Sequence, residues 1–189
     1  MPSSKATEAR PVRTRYVYLD ETKRAGYVMA AVTVADPTAV RKVIRGLVQP
    51  GNRRLHMVDE RPRNRPKIVA ALVETEIEVT IYDAVRNYRT DREARAACLA
   101  VLVEDLAAAG GPTVLVIEQD DSLVQSDRHE LYELGRAAGV TDVLEYRHQR
   151  SHDESLLALP DLAAWCWVRS GEWRRRIGPI LANVRQVGP

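Results

Sequence analysis

The chain has 189 residues, which is enough for one domain with a complete hydrophobic core. Apolar residues make up 45% of it and charged residues 29%, as in ordinary globular proteins, and the formal net charge is only +2. No apolar run approaches the roughly 18 residues of a membrane span, and two isolated cysteines form neither a disulfide framework nor a zinc site. The polar N-terminus lacks the apolar centre of a signal peptide. We therefore expect a cytoplasmic protein with no membrane contact, in which a mobile segment, 1–14, precedes a single domain, 15–189.

Periodicity and turn residues predict alternating strands and helices. Strand-like runs occur at 16–20, 27–34, 77–83, 113–117 and 142–147. Helical spacing, caps and stop signals predict helices at 36–49, 65–75, 90–109, 127–138, 159–170 and 173–184, with Asp36, Thr90 and Ser126 as N-caps. The last of these helices is interrupted near Pro179. The helices within 36–75 form an insertion between the second and third strands.

This order of elements is that of the ribonuclease H-like fold. It predicts an α/β domain with a five-stranded mixed sheet, in the spatial order 3-2-1-4-5, and with helices on both faces. The strand that ends at Asp20 would then lie beside, and parallel to, the strand that ends at Glu118. Neighbouring strands are about 4.8 Å apart, so both carboxylates would lie together at the carboxyl edge of the sheet.

Asp161 begins the last long helix and can reach the same edge, although an Asp there also complements the helix dipole. Three carboxylates suit the hard cations Mg²⁺ and Mn²⁺. Two such ions, roughly 3.5–4 Å apart, can activate a water and stabilise the leaving oxygen of a phosphodiester. The chain contains no Walker-type or dinucleotide-binding glycine motif, so we expect no nucleotide cofactor.

Several of these segments resemble an uncharacterised family of bacterial and phage domains that has a ribonuclease H-like fold and a first strand ending in Asp-Glu-Ser-Gly. The segments are Tyr18-Leu19-Asp20-Glu21-Thr22-Lys23, Leu55-His56, Val116-Ile117-Glu118 with Asp127 downstream, and Leu157-Ala158-Leu159-Pro160-Asp161-Leu162-Ala163-Ala164-Trp165. The resemblance implies a metal-dependent nuclease site whose ligands are Asp20, Glu118 and Asp161. Glu21 is a fourth candidate, but it should point to the opposite face of the strand unless the turn bends. The chain departs from the family at Thr22-Lys23.

Other side chains have a functional and a structural interpretation. His56 resembles a family position near the active edge, as a phosphate or metal contact, and otherwise belongs to loop structure. His152 is either a proton relay that helps release product or a solvated loop residue. Asp127 either holds the loop behind the central strand or caps a helix. Trp167 and Trp173 either stack on a base, form a contact with a partner or pack in the protein. The helical glutamate of true ribonucleases H has two candidates here, Glu93 and Glu104.

The charge distribution favours a polyanionic partner. Basic residues dominate 41–67 and the C-terminal segment, whereas acidic residues dominate 91–161. This pattern suits a protein that holds nucleic acid near metal ions. A second hypothesis is a non-catalytic nucleic-acid or protein-binding module of a defence or mobile-element system, in which the ammonium of Lys23 replaces one metal ion. The sequence leaves open the substrate (RNA, DNA or hybrid) and the oligomeric state, with a homodimer as one alternative.

Overall fold

A computed structural model describes residues 13–24, 26–85 and 87–188, so most of the segment predicted to be mobile lies outside the described residues. The described part forms six strands: β1 (Arg15–Thr22), β2 (Tyr27–Val34), β3 (Ile77–Val85), β4 (Thr113–Glu118), β5 (Leu144–Gln149) and β6 (Leu181–Gln186). It also forms six α-helices: α1 (Pro37–Leu47), α2 (Arg65–Val73), α3 (Asp91–Ala109), α4 (Val124–Ala137), α5 (Ala158–Arg169) and α6 (Gly171–Ile177). None of the described helices is long and apolar enough to cross a membrane.

The strands form one mixed sheet in the order β5-β4-β1-β2-β3-β6. The hairpin partners β1 and β2 are antiparallel, as are β2 and β3, whereas β4 is parallel to both β1 and β5. The α/β class is therefore confirmed, and helices cover both faces of the sheet.

The prediction of five strands is wrong, because a sixth strand pairs with β3. The segment 173–184 was expected to be helical with an interruption near Pro179. The helix α6 does end at Ile177, and Gly178 to Ile180 form a single 3-10 turn, but the helix does not resume. The chain then extends as β6 and pairs parallel to β3, so that the backbone groups at this edge of the sheet gain partners.

Two of the three predicted N-caps are observed, and the third is not. Asp36 caps α1 by accepting hydrogen bonds from the amides of Thr38 and Ala39, and Thr90 forms the predicted capping box with Glu93. Ser126 is not a cap, because α4 already begins at Val124. Its hydroxyl instead donates to the carbonyl oxygen of Leu123.

The fifth strand also starts later than predicted. A turn over 140–143 occupies the expected start, and β5 runs from Leu144 to Gln149, where Gln149 lies opposite Glu118.

The two faces of β1 belong to different cores. Tyr18 packs with α1, α2 and α5 on one side, whereas Val17 and Leu19 pack with α3 and α4 on the other. Side chains alternate along a strand. Asp20 therefore emerges on the α5 side, and Glu21 emerges on the α3 side.

Candidate metal centre at the carboxyl edge of the sheet

The parallel pairing of β1 with β4 brings two acidic residues to one edge of the sheet. Leu19 lies opposite Ile117, and the next residues along these strands are Asp20 and Glu118. Both line a cleft of about 260 Å³, and Asp161 from the first turn of α5 lines it as well. The three residues predicted as metal ligands thus share one cavity.

Asp20 lies in this cleft beside the other carboxylates. Its Oδ1 accepts a hydrogen bond of 2.7 Å from the amide of Glu21. Burial raises the pKa of Asp20 well above its ordinary value, and the negative charges of Glu118, Glu21 and Asp161 raise it further. The cleft therefore concentrates negative charge that a bound cation would offset.

The inserted segment between β2 and β3 fixes the position of Asp161. His56 Nδ1 lies 3.0 Å from Asp161 Oδ1, and the amide of Met57 donates to Oδ2 at 2.9 Å. The hydrogen bond to Asp161 raises the pKa of His56, although partial burial opposes this. His56 lines the cleft, so the structure brings this predicted residue to the site.

Glu118 is paired with a cation from the same inserted segment. Arg54 Nη1 lies 3.4 Å from Glu118 Oε1 and also donates to the hydroxyl of Ser151. The Arg54 side chain is 40% exposed and can reorient. Sequence reasoning noted the basic composition of this segment but did not identify Arg54, because the contact spans distant parts of the chain.

Glu21 lines the cleft, but its carboxylate is held from the α3 side of the sheet. Arg95 Nη1 donates to Glu21 Oε2 at 2.6 Å, and Lys23 Nζ lies 3.7 Å from Oε1. On the α3 side of the sheet, Glu21 therefore has a partner that the sequence did not indicate, Arg95.

Arg95 belongs to a buried network between α3, α4 and β5. Its guanidinium donates two hydrogen bonds to Asp127, at 2.7 and 2.8 Å, and one to the hydroxyl of Tyr27 at 3.2 Å. Asp127 Oδ2 also lies 3.0 Å from His148 Nε2. Burial opposes ionisation of Asp127, but these hydrogen bonds lower its pKa. The sign of this network in the sequence is Arg95 itself, an arginine within the apolar stripe of α3.

The remaining candidates lie away from the cleft or have structural contacts. His152 is exposed, lies 3.5 Å from Asp153 and does not line the cleft. The base-stacking interpretation of Trp167 is wrong, because its ring is buried and its indole nitrogen donates to Asp83. Trp173 packs edge-on against Trp165, with ring centroids 4.8 Å apart.

Neither candidate for the extra helical glutamate reaches the site. Glu93 completes the capping box of α3, and Glu104 is exposed. The side chain that α3 presents to the first strand is Arg95, so a cation lies where an additional acidic ligand was sought.

The cleft fits a hard divalent cation in chemistry but is not arranged as a ready-made cage. Across the residues that the structure describes, no group of three or more His, Cys, Asp or Glu side chains is arranged closely enough to hold a metal ion. In this arrangement Asp161 contacts His56, and Glu118 contacts Arg54. All three predicted ligands offer oxygen atoms, which Mg²⁺ and Mn²⁺ prefer. A bound cation would compete with Arg54 for Glu118.

Comparison of the chain with models of known protein families finds no match, and neither does comparison with curated proteins. The function is therefore argued from the geometry and charge of the cleft.

Proposed function

We propose that the protein is a divalent-metal-dependent nuclease with a ribonuclease H-like fold, and that it hydrolyses phosphodiester bonds of nucleic acid. The observation that carries this proposal is that Asp20, Glu118 and Asp161 line one cleft at the carboxyl edge of the sheet, where burial and the neighbouring carboxylates raise the pKa of Asp20. Such clustering of like charges is costly and is typical of sites that bind a cation or do chemistry. Asp20, Glu118 and Asp161 are the proposed ligands of Mg²⁺ or Mn²⁺.

The arrangement of strands supports the fold assignment. Within the sheet, β3, β2, β1, β4 and β5 are consecutive, and the cleft lies at the carboxyl ends of β1 and β4. The additional strand, β6, lies beyond β3 at the far edge. It therefore extends the sheet without altering the pairing that carries the site.

The polar lining of the cleft supports a phosphodiester as substrate. A bound divalent cation would polarise a phosphoryl oxygen and activate a water molecule. His56 would keep Asp161 oriented through their hydrogen bond, and the amide of Met57 would fix its second oxygen. Arg24, Arg54 and Arg169 also line the cleft and can bind phosphate groups on either side of the scissile bond.

Calorimetry with Mn²⁺, followed by a cleavage assay, tests this proposal. We expect the wild type to bind Mn²⁺ and to cleave at least one component of a mixed pool of RNA, DNA and hybrid substrates. Asp20→Asn should abolish Mn²⁺ binding, and Glu118→Gln should abolish cleavage. Asp142→Asn, which removes an exposed carboxylate before β5, is the matched control and should change neither property. Absence of Mn²⁺ binding by the wild type at millimolar concentration would refute the proposal.

One observation favours a second candidate function, a non-catalytic binding module on the same fold. Two carboxylates at this edge already have cationic partners, because Lys23 lies near Glu21 and Arg54 lies near Glu118. This alternative predicts that nucleic acid binds equally well in EDTA and in Mn²⁺ and is not cleaved in either. Metal-dependent cleavage that is lost in Glu118→Gln would eliminate it.

A further inference from the structure

We infer that the cleft binds a single divalent cation, held by Asp20, Glu118 and Asp161, because Arg95 keeps Glu21 out of the ligand set. This inference rests on the proposed metal site and specifies its stoichiometry. Four carboxylates line the cleft, those of Asp20, Glu21, Glu118 and Asp161. The number of them that can bind metal decides whether the cleft holds one ion or two.

The first argument is the geometry of the ion pair between Glu21 and Arg95. Their closest atoms are 2.6 Å apart, and the two side chains are only 14% and 4% exposed, respectively. A charge-assisted hydrogen bond of this length, shielded from water, is among the stronger non-covalent contacts in proteins. Lys23 supplies a second positive charge to the other oxygen of Glu21.

The second argument is that Arg95 cannot follow Glu21 towards the cleft. Its other two donor nitrogens are held by Asp127, whose side chain is 2% exposed and is held in turn by His148. Turning Glu21 towards a metal ion would leave Arg95 Nη1 with only the hydroxyl of Tyr27. Leaving a buried guanidinium without part of its compensating charge is costly.

The third argument concerns charge. With Glu21 neutralised by Arg95, three carboxylates remain, and one divalent cation together with Arg54 balances them. Without a substrate phosphate, a second divalent cation would leave this group of charges strongly positive. In a single-ion site, protein cations take over the electrostatic role of the second ion, and Arg24, Arg54 and Arg169 line the same cleft.

Counting bound Mn²⁺ by the loss of the free-ion signal in electron paramagnetic resonance tests this inference. We expect one Mn²⁺ per wild-type chain. Glu21→Gln should also bind one Mn²⁺ and should lose less than tenfold in affinity. The amide retains an oxygen for Arg95, so only the loss of one negative charge near Asp20 weakens binding. Lys23→Gln should behave in the same way, whereas Asp20→Asn should lose binding. Thermal unfolding of each variant verifies that it is folded.

The outcomes separate this inference from the proposed function. Two ions per wild-type chain would overturn the inference and leave a metal-dependent nuclease intact. A tenfold or greater loss of Mn²⁺ affinity in folded Glu21→Gln would also overturn it, because Glu21 would then be a ligand. Failure of the wild type to bind any Mn²⁺ would instead refute the proposed function. The wild-type count decides the question even if a variant fails to fold.

Discussion

At the scale of single residues, Asp20 connects the site with the stability of the protein. Burial and three neighbouring carboxylates raise its pKa in the folded state, whereas the unfolded chain has the ordinary value, so the folded protein holds this proton to a higher pH. The contribution of Asp20 to stability is therefore fully present below the ordinary carboxyl pKa. It is lost as the pH rises through the raised, folded-state pKa.

Asp20→Asn should stabilise the metal-free protein at neutral and alkaline pH. Asn keeps an oxygen for the amide of Glu21 and carries no charge, so we expect a gain of roughly 0.5–2 kcal/mol, the usual range for a single stabilising change. The gain should be absent at low pH and should grow as the pH passes through the folded-state pKa of Asp20. Urea denaturation in EDTA at several pH values measures it, with Asp142→Asn as the control. A loss of stability at pH 8 would contradict this account of Asp20.

Arg95 is the second residue whose removal should have a large effect. Arg95→Met leaves Asp127 and Glu21 without their shared cation in a buried setting, and loss of one partner of a buried pair costs about 3–5 kcal/mol. Arg92→Met, an exposed change on the same helix, should alter the free energy of unfolding by less than about 0.5 kcal/mol. Urea denaturation at pH 7 compares the two. A cost below 1 kcal/mol for Arg95→Met would mean that the network carries little stability.

At the scale of secondary-structure elements, local signals predicted two of three N-caps correctly and missed a C-terminal strand. Asp36 and Thr90 are caps because their side chains reach amides two or three residues away, which is a purely local property. The strand β6 depends instead on backbone pairing with β3, about 100 residues earlier in the chain. No local pattern in 173–184 encodes that pairing.

Thr90→Ala should weaken α3 from its N-terminal end. The hydroxyl of Thr90 accepts a hydrogen bond from the amide of Glu93, and its loss costs about 1 kcal/mol in typical proteins. Thr141→Ala, in the exposed turn before β5, serves as the control and should be near neutral. Chemical denaturation measures both, and equal effects of the two changes would argue against the capping box. In the double variant with Glu93→Ala, a total cost below the sum of the two single costs would indicate coupling.

At the scale of the whole molecule, the sheet topology positions the acidic edge and the insertion supplies its basic surroundings. The proximity of Asp20 and Glu118 was predictable because parallel neighbouring strands end at one edge. The partners of Glu118 and of the neighbouring Glu21 were not predictable. Arg54 and Arg95 come from the insertion and from α3, and their contacts depend on how those elements pack.

The salt dependence of nucleic-acid binding should report the cleft arginines. In a Glu118→Gln background that prevents cleavage, Arg24→Ala and Arg169→Ala should each lower the slope of log affinity against log salt by about 0.7–0.9, the value for one phosphate contact. Both side chains are exposed and line the cleft, whereas Arg136 on α4 does not line it. Arg136→Ala is therefore the matched control. Equal slopes for all four proteins in fluorescence titrations would exclude phosphate contacts at Arg24 and Arg169.

The most direct measurement is a crystal structure of the protein soaked in Mn²⁺, with anomalous diffraction to locate the ion. We predict one anomalous peak coordinated by Asp20, Glu118 and Asp161, with Arg54 displaced from Glu118 and Glu21 still paired with Arg95. A crystal soaked at millimolar Mn²⁺ with no peak between these three carboxylates would contradict the metal-site account.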